Sequence, residues 1–347
     1  MMSKISCVDL FCGAGGLTHG FVLEGLPVVA GIDMDPACRF PYETNNQAQF
    51  IERDISTVTE SELLAIFGDA DIKVLAGCAP CQPFSTYAHR YSLDGDGKWG
   101  LLYEFARLAK GTRPDVITME NVPTVAKHAV FHDFVDTLEK LGYHVWYDVV
   151  NSSRYGVPQA RRRMVLLASL YGKIEIIPPT REKPKTVREA IGRLNPLSAG
   201  EAAPRDKLHA SSTLTDINLQ RIRVSKPGGT WRDWPEHLVA ECHRSESGRT
   251  YPSVYGRMEW DKPAPTMTTQ CFGFGNGRFG HPEQDRAISL REAAILQSFP
   301  RDYAFIPEGV EVSFTTLGRL IGNAVPVDLG RAIAKSINSH LSSVKDR

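Results

Sequence analysis

The chain has 347 residues, 42% hydrophobic and 23% charged, and its 40 Lys and Arg balance 40 Asp and Glu. These are the proportions of an ordinary soluble protein, long enough for a large core and two domains. They exclude a membrane-spanning chain, since no apolar run reaches about 20 residues, and Met1-Met2-Ser3-Lys4 has no secretion-signal pattern.

Seven cysteines, an odd number without such a signal, point to reduced thiols in a cytoplasm. The zero net charge hides an asymmetry. Residues 1–150 hold 11 Lys and Arg against 20 Asp and Glu, whereas residues 151–347 hold 29 against 20. A basic half joined to an acidic one suggests a region facing a polyanion, with scattered surface charge as the plainer alternative.

In chain order, residues 5–11 predict a first strand, Cys12-Gly13-Ala14-Gly15-Gly16 a glycine turn, and residues 17–26 a helix. Such a turn lets backbone approach a ligand and offers amide donors at a helix start. Residues 28–32 predict a second strand ending at Asp33, where nucleotide-binding βαβ units place a ribose acceptor. Thr18 stands where a third glycine would complete G-x-G-x-x-G, which argues against a dinucleotide and leaves a single nucleoside. Strands at 50–55, 72–76, 116–119, 144–150 and 164–169 then alternate with helices at 60–67, 101–110 and 131–141. This rhythm predicts a doubly wound α/β sheet.

The strand at 72–76 runs into Gly77-Cys78-Ala79-Pro80-Cys81-Gln82-Pro83-Phe84-Ser85. Prolines keep this turn extended, and a cysteine at the carboxyl end of a strand stands where open α/β sheets keep their chemistry. On these residues alone, an inert thiol or a Cys78–Cys81 redox pair are the alternatives. The loop from 85 to 100 has the length of a lid. From about 171 to 280 the rhythm breaks into proline-punctuated segments where cations and rings interleave, among them Arg221, Arg232, Arg244, Arg249, Tyr255 and Arg257. That mixture suits phosphates and base edges, and a loop-rich surface domain accounts for it equally. Helices are expected again at 290–297 and 332–341.

Six motifs, in order, resemble those of the DNA (cytosine-5) methyltransferases, most closely the bacterial modification enzymes. Asp9-Leu10-Phe11-Cys12-Gly13-Ala14-Gly15-Gly16 is similar to the family's S-adenosylmethionine loop, and Pro80-Cys81-Gln82-Pro83-Phe84-Ser85 to its nucleophile loop. Glu120-Asn121-Val122 resembles the acid motif and Gln159-Ala160-Arg161-Arg162-Arg163 the arginine motif. Arg291-Glu292-Ala293-Ala294 with Gln297, Phe299 and Pro300 resembles a late structural motif, and Gly322-Asn323-Ala324-Val325-Pro326 the cofactor-closing one.

The resemblance implies a class I S-adenosylmethionine-dependent methyltransferase domain, Rossmann-like, over residues 1–178 and completed by 317–347. A smaller loop-rich target recognition domain would occupy 179–316. The implied reaction is metal-free methylation at C5 of a flipped-out cytosine in a specific double-stranded DNA sequence, through a bond between Cys81 and C6. Glu120 is the implied acid at N3 and Arg163 the group that holds O2. Arg161 and Arg163 are the cations expected to lower the Cys81 pKa from about 8.5. The implied S-adenosylmethionine cradle is Phe11, Gly13, Gly15, Gly16, Asp33, Met34, Asp54, Ile55, Leu101, Asn323 and Val325. Met34 stands where an aromatic often covers the adenine, and Asp33 replaces the commoner glutamate. Ser85, Arg221, Arg232, Arg244, Arg249, Tyr255 and Arg257 are the expected DNA contacts. The expected setting is a monomer in a bacterial or phage cytoplasm, alongside an independent restriction endonuclease. A tRNA cytosine-5 methyltransferase, an inactive DNA-binding homologue and a nicotinamide dehydrogenase are the rivals.

Overall fold

In the computed structural model, residues 4–80, 100–250 and 252–345 are described. Two compact units emerge: one takes the chain up to 155, then 162–179 and everything from 325; the other takes 156–161 and 180–324.

The first unit is built on β1 (Ile5–Leu10), β2 (Val28–Asp33), β3 (Gln49–Glu52), β4 (Ile72–Gly77), β5 (Val116–Asn121), β6 (His144–Asn151) and β7 (Arg162–Ser169). Its strands lie in the order β3-β2-β1-β4-β5-β7-β6; β1 to β5 run parallel, and β7 is antiparallel to both neighbours. The connecting helices are α1 (Gly16–Leu23), α2 (Arg39–Asn46), α3 (Glu60–Phe67), α4 (Gly100–Thr112) and α5 (Ala129–Lys140). β1 and β5 are nearly all buried, as expected for strands covered on both faces. Val8, Leu10, Leu75, Ile117 and Met119 pack in one core with Leu63, Phe67, Phe105, Leu108, Phe131 and Phe134.

Local sequence signals set the ends of these helices. Thr59 and Glu62 form a reciprocal capping box at the start of α3, worth about 1 kcal/mol. The expected helix at 17–26 stops at Leu23, because Gly25 turns with φ 72°. The strand expected at 50–55 ends at Glu52, and Asp54 instead accepts the Ser56 N–H in the next turn.

The register fixes where the chain leaves the sheet. Leu10 pairs with Ile32 on one side and Gly77 on the other, and Gly77 pairs with Met119. The residues following β1, β2, β4 and β5 therefore emerge along one edge, which is the usual place for ligands in such sheets. The unit's last helix, numbered α12 below, is Val327–Lys345 and starts directly after Pro326, earlier than the expected residue 332. It crosses α1 at a point where a Cβ on Gly20 would meet Val327 O and Arg331 N at 2.6 Å.

The second unit holds α6 (Val187–Ile191), β8 (Ala202–Ala203) paired with β9 (Asp206–Ala210), α7 (Asp216–Val224), α8 (Glu241–Arg244), α9 (Glu246–Arg249), α10 (Leu290–Leu296) and α11 (Phe314–Asn323). Ile222, Trp231, Trp234, Leu238 and Phe274 form one of its cores. Arg286, with no exposed surface, grips Glu292 with two hydrogen bonds of 2.7 and 2.8 Å at the start of α10. α11 lies in this unit, so the chain passes to the first unit at 325 rather than 317. Gln297 Nε2 explains the join, donating to Ile321 O at 2.8 Å and Ala324 O at 3.2 Å. No helix among the described residues is long and apolar enough to cross a membrane.

Candidate active site

Glu120, one residue before the end of β5, has 2% of its surface exposed. Such a charge is tolerated in the interior only with partners. Because β7 runs antiparallel beside β5, Glu120 lies opposite Val165, and Arg163 reaches it from the start of that strand. Arg163 Nε stands 3.0 Å from Glu120 Oε1. Its N–H is poorly aligned with that oxygen, which keeps its hydrogen-bonding capacity. Oε2 accepts the Cys78 thiol at 3.0 Å. Asn121, next along β5, donates its Nδ2 to Ala79 O at 3.0 Å and accepts the Val122 N–H at 2.8 Å. The segment leaving β4 is thereby tied to β5, one residue before Pro80 and two before Cys81.

A second cluster surrounds the glycine turn after β1. Phe11, Gly13 and Gly15 take φ of 58°, 53° and 87°, and no side chain caps the start of α1. The left-handed conformation is inexpensive at Gly15, which lacks a Cβ. Asp33, at the end of β2, receives Gly13 N–H on Oδ2 and Asp35 N–H on Oδ1, both at 3.0 Å. Burial pushes its carboxyl upward, partly offset by those backbone donors. Behind it, Asp9 is 1% exposed and accepts the Thr18 hydroxyl at 2.7 Å. Burial foremost, with the Asp33 charge adding, raises Asp9 to about 7 against the Thr18 hydrogen bond.

The turn is therefore acidic, and no Lys or Arg occurs from residue 9 to residue 38. Such a cradle fits a cationic nucleoside, with a carboxylate for its hydroxyls, and repels a pyrophosphate. Met34, Asp54 and Leu101 are half-buried in the first unit, and Ile55 and Val325 are buried in it. Asn323 is exposed at the end of α11 in the second unit.

Arg161 is 3% exposed and donates to Met267 O at 3.1 Å and Ala324 O at 3.5 Å. Its guanidinium thus braces the interior of the second unit. Cys81 and Ser85 lie outside the described residues. Among the described residues, no group of three or more His, Cys, Asp and Glu side chains is arranged to hold a metal.

The expected DNA contacts divide by environment. Arg257 is 5% exposed and donates to Ile222 O, Ser225 O, His281 O and Gln284 O besides pairing with Asp285. It was expected at DNA, yet its donors are spent inside the unit because the end of α7 and the segment 281–285 converge on it. Arg221 is half-buried, donating to Leu238 O at 2.8 Å and lying over Trp234 and Tyr255. Tyr255 has φ 56° and packs edge-on against Trp234 and Phe274. Arg232, Arg244 and Arg249 are exposed and line a cleft of about 530 Å³ with Trp231 and His243, whose rings stack at 4.4 Å.

Two further residues, offered by the sequence only as members of motifs, acquire specific partners. Cys78 carries the signal of the Cys-x-x-Cys spacing, and its thiol donates to the Glu120 carboxylate. Gln159, with no exposed surface, joins Leu296 O, Gln297 Oε1 and the Met267 N–H, and its isolated amide carries no sequence signal of this.

The sequence profile described as C-5 cytosine-specific DNA methylase matches residues 5–339. The type II methylase M.HgiDII of Herpetosiphon aurantiacus is 58% identical over 345 residues, covering 98% of this chain and 97% of the relative. The type II methyltransferase M1.HphI of Haemophilus parahaemolyticus is 32% identical, covering 96% and 87%. A crystal structure titled as a candidate DNA modification methyltransferase from an Escherichia coli prophage shares the fold, with TM-score 0.75, 21% identity and coverage of 98% and 100%.

Proposed function

The chain belongs to the C-5 cytosine-specific DNA methylase family, and from that premise we propose that Cys81, Glu120 and Arg163 methylate C5 of a cytosine held outside the duplex. The observation that carries the assignment is the buried Glu120 carboxylate facing Arg163 at 3.0 Å, beside a loop start pinned by Asn121.

Cytosine C5 is a poor nucleophile until a thiolate adds to C6. The Cys81 thiolate makes that bond, and the displaced electron pair moves toward N3 and O2. Glu120 donates a proton at N3, and the Arg163 guanidinium takes the charge at O2. When bound, S-adenosylmethionine supplies an electrophilic methyl carbon through its sulfonium. After C5 has gained the methyl, a water takes its proton, the C6–S bond breaks to release the Cys81 thiolate, and Glu120 recovers its proton from N3. Asp33 would take the ribose hydroxyls of the cofactor, with the amides after Gly15 alongside and Phe11 and Met34 toward the adenine. In the second unit, exposed Arg232, Arg244 and Arg249 would face DNA phosphates. The similarity to type II enzymes supports a role as the modification member of a restriction–modification pair.

The test is methyl transfer from labelled S-adenosylmethionine to unmethylated plasmid, followed by bisulfite sequencing. Label at C5 of cytosines in one short motif is expected. Label on tRNA alone, or DNA binding without transfer, would overturn the assignment.

A further inference from the structure

Cys78 has no part in the steps above, yet it touches the residue on which they turn. Its thiol donates to Glu120 Oε2 at 3.0 Å, while Arg163 Nε faces Oε1 at 3.0 Å. The Cys78 backbone is itself fixed, its N–H donating to Leu10 O at 3.3 Å and the next carbonyl, Ala79 O, receiving Asn121. We propose that Cys78 is a positioning residue, which turns the Glu120 carboxyl so that Oε1, rather than Oε2, meets N3 of the cytosine. This rests on the assignment of Glu120 as the N3 acid.

The physical argument concerns rotation and proton placement. The terminal torsion of a glutamate is broad, and one off-axis guanidinium contact restrains it weakly. A second donor on the other oxygen defines the carboxyl plane. With Oε2 occupied by the thiol, Oε1 is the oxygen that keeps hydrogen-bonding capacity for the base. Oε1 is the oxygen next to Arg163. N3 and O2 flank the same ring carbon, so an acid oxygen and a guanidinium in contact match two adjacent demands of one base edge.

The experiment measures single-turnover methyl transfer into DNA by the full-length chain, with the affinities for DNA and S-adenosylhomocysteine determined separately. Cys78→Ala is expected to slow transfer about tenfold, the scale of one hydrogen bond to a charged group, with both affinities within about twofold of wild type. Cys78→Ser, which keeps a donor, should recover most of the rate, whereas a packing role would not distinguish Ser from Ala in this way. In a Glu120→Gln background, Cys78→Ala should cause little further loss. A wild-type rate for Cys78→Ala, equal losses for Ala and Ser, or a full additional loss in the Glu120→Gln background would overturn the positioning role. A near-normal rate for Glu120→Gln alone would overturn the N3 assignment and this inference together; a slow Glu120→Gln with an unaffected Cys78→Ala would overturn the inference alone.

Discussion

Arg163 Nε lies 3.0 Å from Glu120 Oε1, and the Glu120 side chain is 3% exposed. An antiparallel strand inserted beside a parallel one brings this pair together. Had β7 run parallel to β5, Arg163 would start at the opposite end of the sheet. Glu120→Gln keeps the shape of the side chain and removes its acid. Single-turnover transfer should fall by about 100-fold or more, with S-adenosylhomocysteine affinity unchanged by calorimetry. Near-normal turnover would assign the N3 proton elsewhere.

Cys81→Ala should abolish transfer while retaining DNA binding. With DNA carrying 5-fluorocytosine in the recognised motif, the wild type should form an adduct that survives denaturing electrophoresis, because fluorine cannot leave as the C5 proton does. The variant should form none. An adduct in Cys81→Ala would point to a different nucleophile.

The arginines of the second unit should separate into two classes. Arg249 is exposed, and its carbonyl, which accepts from Arg232, survives truncation. Arg249→Ala should weaken DNA binding and reduce the slope of log affinity against log salt by about 0.9, with melting unchanged. Arg257→Met strands buried carbonyls at Ile222, Ser225 and His281. It should cost about 3 kcal/mol of stability, visible as a lowered melting temperature without DNA present. Equal melting of the two variants would contradict this division.

Asp9 makes the fold sensitive to pH. Its carboxyl is raised from 3.8 to about 7 in the folded chain, so the native state holds a proton that the unfolded state releases. The stability is fully present below about pH 4 and is lost as pH rises through 7, by about 1.4 kcal/mol per pH unit within that window. Asp9→Asn should flatten that part of the stability curve in urea titrations. Identical slopes for variant and wild type would mean that Asp9 is ionised throughout.

Much was legible in the sequence because it is local. Apolar runs alternating with helical stretches marked the strands, and ordered short motifs pointed to the family. Tertiary structure alone decided what each charge does. Arg163, Arg161 and Arg257 look alike in a sequence, yet the first faces a carboxylate, the second braces two backbone carbonyls and the third is buried against four. Cys78 likewise meets Glu120 only because β4 and β5 are neighbours in register. A guanidinium or thiol carries the same donors everywhere; its acceptor is supplied by strands and loops distant in the chain, and burial then determines whether that acceptor or the solvent wins.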